Sequence, residues 1–245
     1  MPRYTQSYLK LLERLKEVEL TFKLAKDLEK QLPLGINKNE VDAICRGGVV
    51  LLSSHIEGYI TDLNYLVLTS LSEPKNLAKG YPSSLIYHQA KDVIKSIKNT
   101  SDPNHIGQQL TSLYRRERSL FMCMNGESEN VTADNFLNNE IAMQGFSTPK
   151  PELIHKFFKR YGYKSLSGDI AKILKSSNLV HRNLVLRTVE IRNDIAHGDI
   201  SIKEAPSDLE EKYKSVKLFC RCIDDCVASY FKTKKIVLRT IELDL

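Results

Sequence analysis

Apolar residues recur three and four positions apart along most of the chain, the spacing that lines one face of an α-helix. Tyr8, Leu11, Leu15, Val18, Phe22, Ala25, Leu28 and Leu32 trace one such stripe, and it predicts a first helix of about thirty residues stopped by Pro33 and Gly35. Asn37-Lys38-Asn39-Glu40 has the form of a capping box, with Asn37 as the cap and Glu40 reaching back to it. A second long helix is predicted from about Lys38 to Leu71. Its middle, VVLLSSHIEGYI, is apolar enough for a central position.

After Glu73-Pro74 the pattern is less regular. Pro82 and Ser83-Ser84 introduce a helix near Leu85–Lys98, and Asp102-Pro103 begins another through Leu110, Leu113, Leu120 and Met124. Polar and acidic residues between Asn125 and Asn139 predict a loop. Thr148-Pro149 opens a short helix carrying Leu153, Ile154, Phe157 and Phe158, and a second short one is expected over Ile170–Lys175. From about Leu179 to Ala196 a further helix carries Leu184, Leu186, Val189 and Ile191, with Gly198 as its terminator. The last helix is predicted over Ser207–Tyr230, with Pro206 near its start and Leu209, Tyr213, Val216, Phe219, Ile223 and Val227 as its stripe. The tail from Ile236 to Ile241 fits either a strand or a helical extension. With no strand–helix alternation and no hairpin signal, the fold class is all-α.

Composition narrows the class further. A chain of 245 residues, 42 % hydrophobic and 27 % charged, can bury a core without a disulfide or metal staple. That excludes disordered, collagen-like and disulfide-scaffold proteins. The length suits one domain, or one domain with a sizeable insertion. No apolar run approaches the ~18–20 residues of a membrane span, and charges interrupt the N-terminal MPRYTQSYLKLLERLK too often for a signal peptide. The five cysteines, Cys45, Cys123, Cys220, Cys222 and Cys226, are odd in number and follow no regular framework, which points to a reducing, cytoplasmic setting. On a helix Cys222 and Cys226 share a face while Cys220 points elsewhere, and no second pair completes a zinc site, so these thiols read as small buried hydrophobes and no metal is expected. Neither GxGxxG nor GxxxxGK[ST] nor HExxH occurs, and no cofactor is expected.

Charge singles out one region. The chain carries a net +6, yet Lys150 to Arg192 alone holds ten Lys/Arg against Glu152, Asp169 and Glu190, a net of +7. A local basic field of this kind suits a polyanion. It ends in Glu190-Ile191-Arg192-Asn193-Asp194-Ile195-Ala196-His197-Gly198, which gathers a permanent cation, an amide, a carboxylate and an imidazole near a helix C-terminus. Arg192 and His197 lie about 140° apart on the helical wheel, so a second copy related by a twofold axis would bring two Arg–His sets into one cleft. Such a set suits RNA cleavage without a metal. A neutral imidazole takes the 2′-hydroxyl proton, and a guanidinium holds the phosphate as charge develops on it. Asn193 would orient phosphate or imidazole, and Asp194 would either tune His197 or cap the turn. The plainer alternative is a salt bridge for Arg192 and a dipole-capping role for His197.

The stretch Arg192-Asn193-Asp194-Ile195-Ala196-His197 matches the R-x4-H motif of the HEPN superfamily, including the polar residue after the arginine. The full RNDIAHG string is similar to the RiboL-PSP and MAE-type HEPN branch of prokaryotic conflict systems, and LLSSHIEGYITDL, Leu51 to Leu63, resembles the early helix of that branch. The resemblance implies a single HEPN-like helical bundle over residues 1–245. Within it, residues 73–147 match nothing familiar and are read as a family-specific insertion of helix and loop. It also implies Arg192 and His197 as a catalytic pair, Asn193 as polar helper, Glu57 as an early-helix acid facing the site, and a homodimer with a shared active-site cleft. The expected function is then a metal-independent endoribonuclease, a toxin or defence effector leaving 2′,3′-cyclic phosphate and 5′-hydroxyl ends. The alternative is a non-catalytic HEPN module that binds RNA or a partner protein in a toxin–antitoxin or defence complex.

Glu57 sits in an apolar helix, where a buried carboxylate needs a partner, and Arg192 is the candidate. Lys156, Lys159, Arg160, Lys164, Lys172, Lys175, Arg182 and Arg187 precede the motif and would track an RNA backbone toward it. Tyr161 and Tyr163 either stack on unpaired bases or pack in the bundle.

Overall fold

A computed structural model of the chain describes residues 3–31, 38–71, 82, 84–85, 87–88, 95, 102–116, 143, 146, 148–238 and 240–242. Among the described residues the helices with full bounds are α1 (Gln6–Glu29), α2 (Lys38–Leu71), α3 (Pro103–Arg116), α4 (Pro151–Lys159), α5 (Leu166–Leu174), α6 (Asn178–Ala196) and α7 (Pro206–Thr233). A single 3₁₀ turn, Lys175–Ser177, joins α5 to α6. The architecture is a helical bundle, as the periodicity predicts. One two-stranded ribbon is added: β1 (Arg3–Thr5) pairs antiparallel with β2 (Thr240–Glu242), in the register Arg3 to Glu242, Tyr4 to Ile241 and Thr5 to Thr240. The tail is therefore a strand rather than a helical extension. No hairpin signal announces it because its partner is the other end of the chain.

The described residues fall into two compact units. The first comprises residues 1–63, 146–155 and 165–245. Thr5 caps α1, its hydroxyl accepting the Tyr8 N–H at 3.2 Å. Tyr8, Leu11, Leu15, Val18, Phe22 and Ala25 are then buried, while Leu28 is half-buried and Leu32 lies outside the described residues. Pro33, Gly35 and the Asn37 cap also lie outside them. Val41, Cys45, Val49, Leu52, Ile56, Tyr59, Ile60 and Leu63 form the buried stripe of α2 within this unit. α7 is the element the others share, packing against α1, α5 and α6. It meets α2 through the Tyr59 hydroxyl, which donates to the Cys220 carbonyl at 3.2 Å and lies 3.1 Å from Asp224 Oδ1.

Two expectations shift in detail. The second short helix, expected over Ile170–Lys175, spans Leu166–Leu174, because Leu166, Ile170 and Leu174 supply a stripe four residues apart. In α6 the buried set is Val185, Thr188, Val189 and Ile191, and Leu184 and Leu186 are only half-buried. Leu184 and Leu186 stand about 200° apart on the wheel and so cannot share one buried face.

The second unit comprises residues 64–145 and 156–164. Phe157, Phe158 and Tyr161 pack edge to edge, with the Phe157 and Phe158 centroids 5.4 Å apart at 90°, and the Tyr161 hydroxyl donates to Asn64 Oδ1. Ser84 Oγ donates to the Arg160 carbonyl at 2.9 Å. Tyr161 and Tyr163 are 2 % and 5 % exposed, so packing is their role and base stacking is not. Of the helix expected over Leu85–Lys98, Leu85, Tyr87, His88 and Lys95 are described and are helical; most of the rest of residues 73–147, including the continuation to Met124, the 125–139 loop and Cys123, lies outside the described residues. No helix among those described is long and apolar enough to cross a membrane. Cys45, Cys220, Cys222 and Cys226 are buried cysteines, and burial pushes the Cys222 thiol up to about 11. Among the described residues no group of His, Cys, Asp and Glu is arranged to hold a metal.

Candidate active site

The last two turns of α6 leave the core as they reach their end. Ile191 is buried, so the next residue, Arg192, emerges at the edge of the packed face with its side chain 30 % exposed. Its guanidinium meets two groups. Nη1 donates to Asn193 Oδ1 at 3.1 Å, and Nη2 lies 3.7 Å from Glu57 Oε2 on α2. Glu57 likewise sits at the edge of a buried stripe, one residue after Ile56, and its side chain is 37 % exposed. The carboxylate is thus half-exposed rather than buried as the sequence suggested, and the partner expected for it is present. An ion pair this open and this long is worth less than about 1 kcal/mol. Its effect is to aim the guanidinium.

α6 then stops in a defined way. The Gly198 N–H donates to the Ile195 carbonyl at 3.0 Å and the Asp199 N–H to the Asp194 carbonyl at 3.0 Å, the paired bonds of a Schellman turn. Gly198 takes φ +89°, the left-handed conformation this turn requires and glycine tolerates best. His197 is the residue at the cap, its backbone N–H donating to the Asn193 carbonyl at 2.9 Å. Its imidazole is exposed and has no side-chain partner among the described residues. Asp194 is exposed too, and it is its carbonyl, not its carboxylate, that closes the turn.

Arg192, Asn193 and Glu57 are therefore gathered by the fold. His197 stands one turn beyond them, and within one chain no bond joins its ring to that set. His55, two residues before Glu57, turns instead toward Glu17 of α1, with Nε2 3.5 Å from Oε2, and burial pulls its pKa down.

The eight basic residues divide between the two units. In the first, Lys172 pairs with Asp169 at 2.8 Å, Arg182 with Glu152, and Arg187 with Glu190 at 3.8 Å, leaving Lys175 exposed on the 3₁₀ turn. In the second, Lys156, Lys159 and Lys164 are exposed, while Arg160 is half-buried with its guanidinium 5.1 Å from the Phe157 ring centroid. The paired carboxylates are the three already counted in the net of +7, so the excess rests on the other basic residues. A groove of about 500 Å³ between α1 and α7, lined by Tyr8, Phe22, Lys23, Tyr213, Lys217 and Arg221 among others, contains none of the motif residues.

The sequence reading missed what holds the segment after His197. Arg46 of α2 donates through Nη1 to the Ile202 carbonyl at 3.0 Å, and Lys212 of α7 forms a buried ion pair with Glu204 at 2.7 Å. The signal for Arg46 was a cation next to the apolar middle of a helix, eleven residues before Glu57 and on its face.

The family model described as RiboL-PSP-HEPN matches residues 9–229 of the chain. No curated protein and no solved structure gives a match.

Proposed function

Because the chain belongs to the RiboL-PSP-HEPN family, we propose that it is an endoribonuclease that cleaves RNA without a metal, acting as a toxin or defence effector. The observation that carries this reading is the arrangement at the end of α6. There an aimed guanidinium, Arg192 held by Glu57 and Asn193, precedes an exposed imidazole fixed on a glycine-closed turn. In this mechanism the neutral His197 ring accepts the proton of a ribose 2′-hydroxyl. The freed oxygen attacks the adjacent phosphorus, the bond to the 5′ oxygen of the next nucleotide breaks, that oxygen takes a proton from water as it leaves, and His197 returns its own proton to solvent. Arg192 offsets the charge gathering on the non-bridging oxygens through its fork of donors. The products are a 2′,3′-cyclic phosphate and a 5′-hydroxyl end, and DNA, lacking the nucleophile, is spared.

His197 and Arg192 project in different directions from one helix, which supports a cleft completed by a second copy of the chain. Asn193 orients the guanidinium, and the exposed Lys156, Lys159, Lys164 and Lys175 supply non-specific attraction for the RNA backbone. The setting is cytoplasmic, and a partner protein would restrain the activity.

The test is incubation of wild type, Arg192→Ala and His197→Ala with mixed RNA in excess EDTA, followed by mapping of the cleavage ends. Cyclic-phosphate ends from wild type, reduced at least a hundredfold in either variant, are expected. Normal cleavage by either variant overturns the assignment. Stoichiometric RNA or protein binding without turnover, unchanged by His197→Ala, identifies a binding module instead.

A further inference from the structure

The segment that follows the motif is ordered in a way its exposure does not explain. His197, Asp199, Ile200, Ser201 and Lys203 are all exposed, Ile200 at 83 %. A loop with so little to bury would ordinarily keep its conformational freedom. Instead its backbone is fastened at short intervals. The Schellman turn closes at Asp199, whose carboxylate then accepts the Ser201 N–H at 2.8 Å and the Ser201 hydroxyl at 2.6 Å. Arg46 reaches the Ile202 carbonyl at 3.0 Å, and Glu204 is locked to Lys212 in a pair whose side chains are 6 % and 7 % exposed.

Of these fasteners Arg46 is the informative one. It is half-buried, and among the described residues it has no carboxylate partner, so its guanidinium is committed to one backbone oxygen. It lies eleven residues before Glu57 on the same unbroken helix. Eleven residues amount to about 16 Å and leave the two Cα positions within about 20° on the wheel, so Arg46 and Glu57 share one face of α2. Glu57 lies 3.7 Å from Arg192, five residues before His197, and Arg46 is hydrogen-bonded to Ile202, five residues after it.

We infer that Arg46 is a positioning residue for His197: with Glu57 it makes α2 a rigid splint across both flanks of the turn that presents the imidazole. Its catalytic consequence rests on the ribonuclease reading, whereas the splint itself does not. A base that must meet a 2′-hydroxyl within hydrogen-bond reach gains from a fixed backbone, since displacement by about an ångström costs rate rather than binding. Loss of the tether should therefore lower kcat and leave KM nearly unchanged.

The experiment compares wild type with Arg46→Ala and Arg46→Lys in the full chain. Circular dichroism first verifies that each is folded, and the lysine variant keeps the test open should the alanine variant fail. Amide hydrogen exchange is then followed over residues 199–203, with the His197 Cε1–H NMR signal and cleavage kinetics in EDTA. For Arg46→Ala the expected result is exchange at least tenfold faster in that segment with the α1 and α7 core amides unchanged, a displaced or broadened His197 signal, and kcat down tenfold or more with KM within twofold. Arg46→Lys, which keeps a donor, should recover most of each effect. Unchanged exchange and an unchanged His197 signal overturn the splint, and faster exchange with kcat held within twofold overturns the positioning role. Should wild type cleave no RNA, the ribonuclease reading fails separately, and the exchange and the His197 signal still decide whether α2 holds the turn.

Discussion

Asp224 shows how a single side chain can join distant parts of this molecule. It is 1 % exposed, and its carboxylate accepts the Thr5 N–H at 3.0 Å, the Thr5 hydroxyl and the Tyr59 hydroxyl at 3.1 Å. These bonds favour the charged form, but burial outweighs them and pushes the carboxyl up to about 6. With the folded value above the ordinary value of 3.8, the stability this group contributes is complete below pH ~4 and is lost as pH rises through about 6. Asp224→Asn removes that titration. Relative to wild type, the variant should gain stability progressively from pH 4 to 6 and level off above, by about 3 kcal/mol for a shift of this size. Urea unfolding of both proteins at pH 4, 5, 6 and 7 checks it, and a constant difference across that range would contradict it. A sequence reader sees only one more aspartate in a helix. Its partners stand 165 and 219 positions away.

At the scale of elements, two adjacent glycines in α2 do opposite things. A Cβ on Gly47 would meet nothing within 4 Å, whereas one on Gly48 would lie 2.5 Å from Leu209 Cδ2 of α7 and 3.2 Å from Thr21 Cγ2 of α1. Gly48 thus lets three helices approach at one point, and the same approach brings the neighbouring Arg46 within reach of Ile202. Gly47→Ala should stabilise the protein by about 0.5–1 kcal/mol through helix propensity alone. Gly48→Ala should destabilise it by about 1–3 kcal/mol, since a fully buried Leu209 cannot move aside freely. Equilibrium denaturation of the two variants side by side tests the pair, and shifts of the same sign would show the approach to be loose. Helix positions themselves were largely legible. The predicted second helix and the observed one share their ends, Lys38 and Leu71. The errors fell where apolar residues crowd the sequence without a single face, as at Leu184 and Leu186.

For the whole molecule the open geometry of the motif leads to a prediction about assembly. Arg192 and Glu57 belong to one edge of the packed bundle, and His197 projects beyond it. If each active centre combines the arginine of one copy with the histidine of another, an equal mixture of Arg192→Ala and His197→Ala proteins should regain cleavage that neither shows alone. Up to about half of the mixed dimers' sites would then be intact. Light scattering should report a dimer at micromolar concentration. A monomer of full activity would remove the shared cleft and require the Arg192 side chain to reach His197 within its own helix.

The helical class, the family and the residues of the motif were legible in the chain's order of residues. Helical periodicity, a glycine terminator and a short motif are properties of neighbouring residues, set by a backbone that repeats every 3.6 positions. Even the terminator was readable, because only a left-handed residue closes a Schellman turn and Gly198 is suited to it. Partners were decided by the tertiary structure. It alone selected Glu57 for Arg192, Ile202 for Arg46, Thr5 for Asp224 and one end of the chain for the other. It also turned Tyr161 and Tyr163 inward and set carboxylates beside Lys172, Arg182 and Arg187. A helix's repeat indicates which residues share its face but not which face of another helix will lie against it. That choice depends on how side chains of different sizes interlock across long sequence separations, and at Gly48 it depends on a side chain that is absent.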